Sequence, residues 1–168
     1  VFDDTIVDVP HPNPLFADMG VKVSQTVRSD KLSHFADHMR QFAPFSQQAI
    51  GAMFILNQKR CGLFYDMRAG KSHSSLLAYQ IAKAQGKVDH LIIVCPKTIL
   101  DVVWEPICNQ QHVDAYAMVN GAAEDEIAMD QGYDAFLISF SSLWRRFGIL
   151  ERHLDLSRCF IILDETSK

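Results

Sequence analysis

The chain predicts an α/β protein built on a parallel sheet with helices on both faces, and three observations carry that prediction. His90–Cys95 (HLIIVC), Ala135–Ser139 (AFLIS) and Cys159–Leu163 (CFIIL) are apolar runs that do not alternate. The first is the kind of continuous run that marks a strand covered on both faces, as in parallel sheets. Segments with helical spacing separate them, so strands and helices alternate along the chain. Finally, Leu63-Phe64-Tyr65 leads through a short loop to Gly70-Lys71-Ser72 and a helical run, in the order strand, loop, helix.

The elements follow in order. Residues 1–30 carry Pro10, Pro12 and Pro14 and predict an N-terminal arm with a short strand at Val21–Val27. Residues 30–42 place Leu32, Phe35, Met39 and Phe42 at helical spacing. His34 and His38 lie one turn apart there, without a nearby third ligand, and read as a solvated helix face. Pro44-Phe45-Ser46 breaks that helix and Gln47–Asn57 begins another. Gly62–Tyr65 predicts the first core strand and Lys71–Gln85 its helix, which Gly86 ends as a left-handed cap. After the strand at His90–Cys95, Thr98 and Asp101 fit a capping box for a helix at Ile99–Cys108. A strand at Ala115–Val119, an acidic helix at Gly121–Asp130, a strand at Ala135–Ser139, a helix at Ser141–Leu154 and a strand at Cys159–Leu163 complete the series.

Composition narrows the function classes. At 168 residues, 48% of them hydrophobic and 21% charged, the chain suits about one soluble domain with a real core. No stretch approaches the roughly 18 apolar residues that span a bilayer, so no membrane partner is expected. The four cysteines are widely spaced and form no C-x-x-C pair, which predicts reduced thiols in a cytoplasmic protein. A net charge of −4 disfavours a bulk grip on nucleic acid but leaves room for a local basic track.

The chemistry points to phosphate. A Gly-Lys-Ser that opens a helix presents backbone N–H groups and the positive end of the helix dipole to a polyphosphate. Lys71 would reach the β/γ-phosphates and Ser72 would bind Mg²⁺. The full P-loop pattern wants glycine at position 65, where this chain has Tyr65. In open parallel sheets ligands gather beyond the carboxyl ends of the strands. The last apolar strand ends there in Asp164-Glu165, the pair a nucleotide hydrolase needs. Asp164 would hold Mg²⁺ through its water shell and Glu165 would orient and deprotonate the attacking water.

The series resembles the first RecA-like domain of a superfamily 2 helicase, most like the Snf2-like and phage DEAD/DEAH-like branch. Asp66–Ser72 (DMRAGKS) resembles motif I, Leu91–Leu100 (LIIVCPKTIL) motif Ia, Ala135–Leu143 (AFLISFSSL) motif Ib and Ile161–Lys168 (IILDETSK) motif II. Phe42–Gln48 (FAPFSQQ) sits where that family has its adenine-binding Q motif. The resemblance covers residues 42–168. It implies one truncated RecA-like ATP-binding domain there, with residues 1–41 as an N-terminal arm and accessory helix. It implies ATP and Mg²⁺ as cofactors and nucleic acid, DNA before RNA, as partner. Lys71, Asp164 and Glu165 would be catalytic. Phe45, Gln47, Arg68, Ala69, Gly70, Lys71 and Ser72 would hold the nucleotide, with Ser46 as the alternative to Gln47 at the glutamine position. Pro96, Lys97, Thr98, Ser139 and Phe140 would meet the nucleic-acid backbone, which Arg145-Arg146 could extend as a basic track. Trp104 is expected to pack in the core under the motif Ia helix, and Phe140 suits either core or contact.

The family's second RecA-like domain, which supplies an arginine finger, does not occur in these 168 residues. The family's motif III strand lies between the motif I and motif II strands. A gap in the sheet is therefore expected, and the chain reads as a fragment of a longer protein. The expected function is the ATP-binding lobe of a DNA helicase or duplex translocase, weakly active or inactive alone. The alternatives are a catalytically idle P-loop module used for protein interaction and, third, a small-molecule P-loop kinase.

Overall fold

Strands form where apolar runs find neighbours to bond, and the computed structural model of the protein bears this out. It describes residues 4–10, 22–28, 46–58, 60–64 and 69–164, with backbone alone for 4–10, 22–28 and 46. The predicted helix at 30–42 with His34 and His38, the loop residues Tyr65 to Arg68, the base contact Phe45 and the carboxylate Glu165 lie outside the described residues. The chain divides into two compact units, Val1–Ile81 and Ala82–Lys168.

In the first unit, β1 (Asp4–Pro10) pairs antiparallel with β2 (Lys22–Arg28), in register from Asp4↔Arg28 to Pro10↔Lys22. The strand expected at 21–27 is β2. Its partner β1 was expected only as part of an arm, although Thr5, Ile6, Val7 and Val9 are strong strand formers. Helix α1 (Ser46–Asn57) follows, and α2 (Lys71–Ala84) begins in this unit. The core strand expected at Gly62–Tyr65 is not borne out at Gly62–Phe64, which carry no regular structure. Phe64 is 98% exposed. The physical reason is that a strand exists only where a neighbour supplies ladder bonds. A short run that includes a glycine has little side chain to bury in exchange.

The second unit holds the parallel sheet. It contains β3 (His90–Cys95), β4 (Ala115–Ala117), β5 (Ala135–Ser139) and β6 (Cys159–Leu163), in the spatial order β4-β5-β3-β6. Leu91 to Cys95 run beside Ala135 to Ser139, and His90 to Val94 beside Cys159 to Leu163. The expected five-strand alternation is thus four parallel strands. β3 and β5 are central and almost wholly buried, which explains their unbroken hydrophobicity. Ile92, Val94, Phe136 and Ile138 pack with Met118, Met129, Ile149, Leu150 and Leu154 in one core. Burying each large aliphatic side chain stabilises by roughly 1.5–3 kcal/mol.

The helices connect these strands. α2 ends in a Schellman turn, with Gly86 at φ +65°, Gly86 N–H bonded to Lys83 O and Lys87 N–H to Ala82 O. Arg158 clasps this turn, donating to Gly86 O at 3.1 Å and to Asp89 at 2.7 Å. That guanidinium holds the Asp89 carboxyl below the usual carboxylate range. After β3 comes α3 (Lys97–Ile99), a wide π-turn (Leu100–Trp104) and α4 (Glu105–Gln110). Pro106 explains the π-turn. It has no N–H, and its ring crowds the carbonyl four residues back, so the helix widens there. The expected capping box is overturned, because Pro96 stands at the N-cap and no side chain caps the helix. Pro96 already supplies the turn out of β3, so the helix begins before Thr98 can cap it. α5 (Ala122–Met129) and the 14-residue α6 (Phe140–His153) complete the unit, with a 3₁₀ turn (Leu156–Arg158) before β6.

β6 bonds to β3 alone among the described strands, and Ile161 and Leu163 are exposed on it. β1 pairs with β2 in a separate sheet, so the gap expected beside the acidic strand has no strand in it among the described residues.

Candidate functional site

Parallel strands bring their carboxyl ends to one edge, and four segments meet there. β3 runs out into Pro96-Lys97, β4 into Met118-Val119-Asn120, β5 into Ser139 and β6 into Asp164. Beyond the first three lies a cleft of about 380 Å³. Lys97, Ser139, Ser141, Ser142, Arg145 and Arg146 line it with the turn from Met118 to Asn120, Ala122 and Asp125. Lys97 and Ser139, which the sequence places on separate strand ends, therefore share one cavity.

The serines wire the start of α6. Ser139 Oγ lies 2.8 Å from Ser142 Oγ and 3.0 Å from Ser141 Oγ, and Ser142 Oγ donates to Ser139 O at 3.2 Å. Ser139 and Ser142 are buried and satisfy each other, whereas Ser141 is exposed. Ser141 can turn its proton outward without leaving a buried acceptor bare. The positive end of the α6 dipole points to the same place.

The cations differ in kind. Arg146 donates from Nε to Asp125 Oδ2 at 2.6 Å and from a terminal nitrogen to Asn120 O at 2.6 Å. Asp125 is fully buried and also accepts from the Tyr116 hydroxyl at 3.3 Å. Arg146 is thus neutralised and structural, locking the 116–120 turn and α5 to α6. Lys97 and Arg145 are exposed, and neither is in an ion pair among the described residues. The attraction for an anion comes from these two.

Asp164 stands at the end of β6, its N–H bonded to Val94 O at 2.9 Å. Its Oδ2 accepts the indole N–H of Trp104 at 2.9 Å. Trp104 is buried as expected, but its bond to the acidic residue was not. Leu100 and Trp104, one turn apart, are the buried residues of the π-turn. Among the described residues no three acidic, histidine or cysteine side chains cluster to cage a metal directly. A Mg²⁺ bound mainly through water and phosphate oxygens needs no such cage.

The Gly-Lys-Ser loop is built within the first unit. Gly70 has φ +82°, and a Cβ there would lie 2.5 Å from Gln48 Nε2. Only glycine meets both conditions without strain. Ser74 N–H and Ser74 Oγ both bond Gly70 O, closing the first turn of α2. The amides of Ser72 and His73 precede that first intrahelical bond. Gln47 donates from Nε2 to Ala69 O at 3.3 Å, so α1 braces the loop.

Of the residues expected to touch nucleic acid, Lys97 and Ser139 line the cleft, Thr98 and Phe140 are exposed nearby in sequence, and Pro96 is half-buried. Asn120 and Asp125 were not anticipated. Asp125 lies in the segment expected as an acidic helix, where Asp125, Ala128 and Met129 share the buried face at helical spacing. No family model matches the chain, and no curated protein sequence matches it.

Proposed function

We propose that the chain is the ATP-binding lobe of a nucleic-acid-dependent ATPase of the RecA-like, superfamily 2 type, acting on DNA before RNA. One observation supports the reading most. Lys97 after β3 and Ser139 after β5, assigned to a nucleic-acid backbone from separate motifs, line one cleft with Arg145 at the carboxyl edge of a parallel sheet. Cations, hydroxyls and a helix N-terminus suit phosphate oxygens.

On this reading Lys71 and Ser72 hold the nucleotide phosphates and the ion, and Asp164 with Glu165 forms the acidic pair of the same reaction. Bound magnesium would neutralise charge that builds on the transferred phosphoryl group. Trp104 fixes the Asp164 carboxylate, and Gly70 allows the backbone of the loop to approach phosphate. Binding of a fluorescent ATP analogue with Mg²⁺, lost in Lys71→Ala, tests the nucleotide half. ATP hydrolysis that nucleic acid stimulates, and that Lys71→Ala removes, tests the coupling. A protein with neither property is not this ATPase.

A second reading, an idle P-loop module for protein interaction, draws on the lack of a strand at Gly62–Phe64. Nucleotide binding sensitive to Lys71→Ala would argue against it.

A further inference from the structure

One face of α6 is unlike any other helix surface of the second unit. Phe140, Trp144 and Phe147 recur at i, i+4 and i+7, one stripe of the helix. They are 40%, 77% and 45% exposed. Other positions of the helix already supply the core with Ile149 and Leu150, so packing does not account for the stripe. Three neighbouring exposed aromatics on one helix mark a contact surface rather than scattered apolar residues.

What borders the stripe decides its occupant. Ser141 and Arg145 each follow a stripe residue by one position, about 100° around the helix. Both line the cleft that Lys97 shares. Flat apolar rings therefore stand beside hydroxyls and two cations that are in no ion pair among the described residues. An occupant complementary to both is anionic along one side and planar and apolar along the other. A single nucleic-acid strand has that form, with phosphates on one side and bases on the other. Proteins that bind single strands combine an electropositive groove with aromatic stacking platforms in this way.

We propose that α6 is a stacking platform for unpaired bases, with Trp144 at its centre and the adjoining cleft holding the strand's phosphates. The inference rests on the nucleic-acid reading above and adds to it the state of the substrate, a single strand with splayed bases. A duplex keeps its bases stacked on each other and offers the stripe nothing.

The experiment compares two probes on the full chain: an oligothymidylate of roughly a dozen nucleotides and an abasic strand of equal length. The chain has two tryptophans, and Trp104 is buried, so the thymidylate strand should quench the emission of Trp144. The thymidylate should bind more tightly than the abasic strand. Trp144→Ala should lower its affinity on the order of tenfold and leave abasic binding unchanged, while Trp144→Phe retains the difference. Phe147→Ala should act in the same direction, which guards against a folding defect in one variant. Equal affinity for the two strands in the unaltered chain would overturn the platform and leave the nucleic-acid reading standing. Binding of neither strand would overturn both. A dimer in sedimentation that Trp144→Ala dissolves, with strand affinity unchanged, would assign the stripe to a second copy and overturn the proposal.

Discussion

Two 14-residue helices, α2 and α6, begin in turns that are built by different means. At α2 the work is local. One glycine at positive φ and the bonds from Ser74 to Gly70 O shape the turn within a few residues, and Gln47 adds a single brace from 22 residues away. At α6 the work is distant. The strand β5 feeds straight into the helix, and a buried pair, Arg146 with Asp125, ties it to the 116–120 turn. A local device leaves its letters together, so Gly-Lys-Ser is legible as a motif. A distributed device scatters its residues from Lys97 to Arg146 and has no compact signature.

The comparison yields tests of decreasing size. Arg146→Ala should cost about 3–5 kcal/mol, because it leaves the Asp125 carboxylate buried without its partner. Chemical denaturation measures it, and replacing both residues by leucine should cost less. A loss below 1 kcal/mol would mean that the start of α6 is not held by this pair. Alkaline pH probes burial elsewhere in the second unit. Burial pushes the Cys108 thiol, on the buried face of α4, up to about 12 from an ordinary value of about 8.5. A raised folded value stabilises at low pH, so the contribution is full below about 8.5 and falls as pH rises toward 12. By pH 10 it should amount to a loss of about 1–2 kcal/mol, which Cys108→Ala removes from the pH dependence of melting.

Gly70→Ala should cost roughly 1–2 kcal/mol, since alanine disfavours a positive φ and its methyl group would displace Gln48. Binding of an ATP analogue should weaken with it. Trp104→Phe should cost about 1 kcal/mol for the bond to Asp164 and weaken Mg²⁺-dependent nucleotide binding more than Mg²⁺-free binding. Lys97→Ala and Arg145→Ala should change stability least, within about 0.5 kcal/mol. Each should instead lower the salt dependence of strand binding by about one in the log–log slope. That contrast with Arg146 separates cations that meet an anion from the one that holds the cleft together.

Much of the second unit was legible before folding. β3, β5 and β6 match their apolar runs residue for residue, and Gly86 ends α2 as expected. A strand covered on both faces, as β3 and β5 are, must be apolar throughout, so its bounds are written in side-chain chemistry; β6 carries such a run with Ile161 and Leu163 exposed. The misreadings were of another kind. Gly62–Phe64 looked like a strand but pairs with nothing among the described residues, while Asp4–Pro10 looked like an arm and found β2. Thr98 and Asp101 had capping spacing, yet Pro96 had already set the start of that helix. In each case a neighbour outside the segment decided the outcome.

The amino-acid order alone settled where the buried strands run and that a Gly-Lys-Ser turn opens a helix, because hydrophobic period and backbone preference act within a few residues. Tertiary structure alone decided that Lys97, Ser139 and Arg145 share a cleft, that Asp125 is buried against Arg146, and that Trp104 holds Asp164. Those facts depend on strand order and on how the segments after the strands pack. Both arise from packing between residues far apart in the chain, a relation that no local pattern encodes.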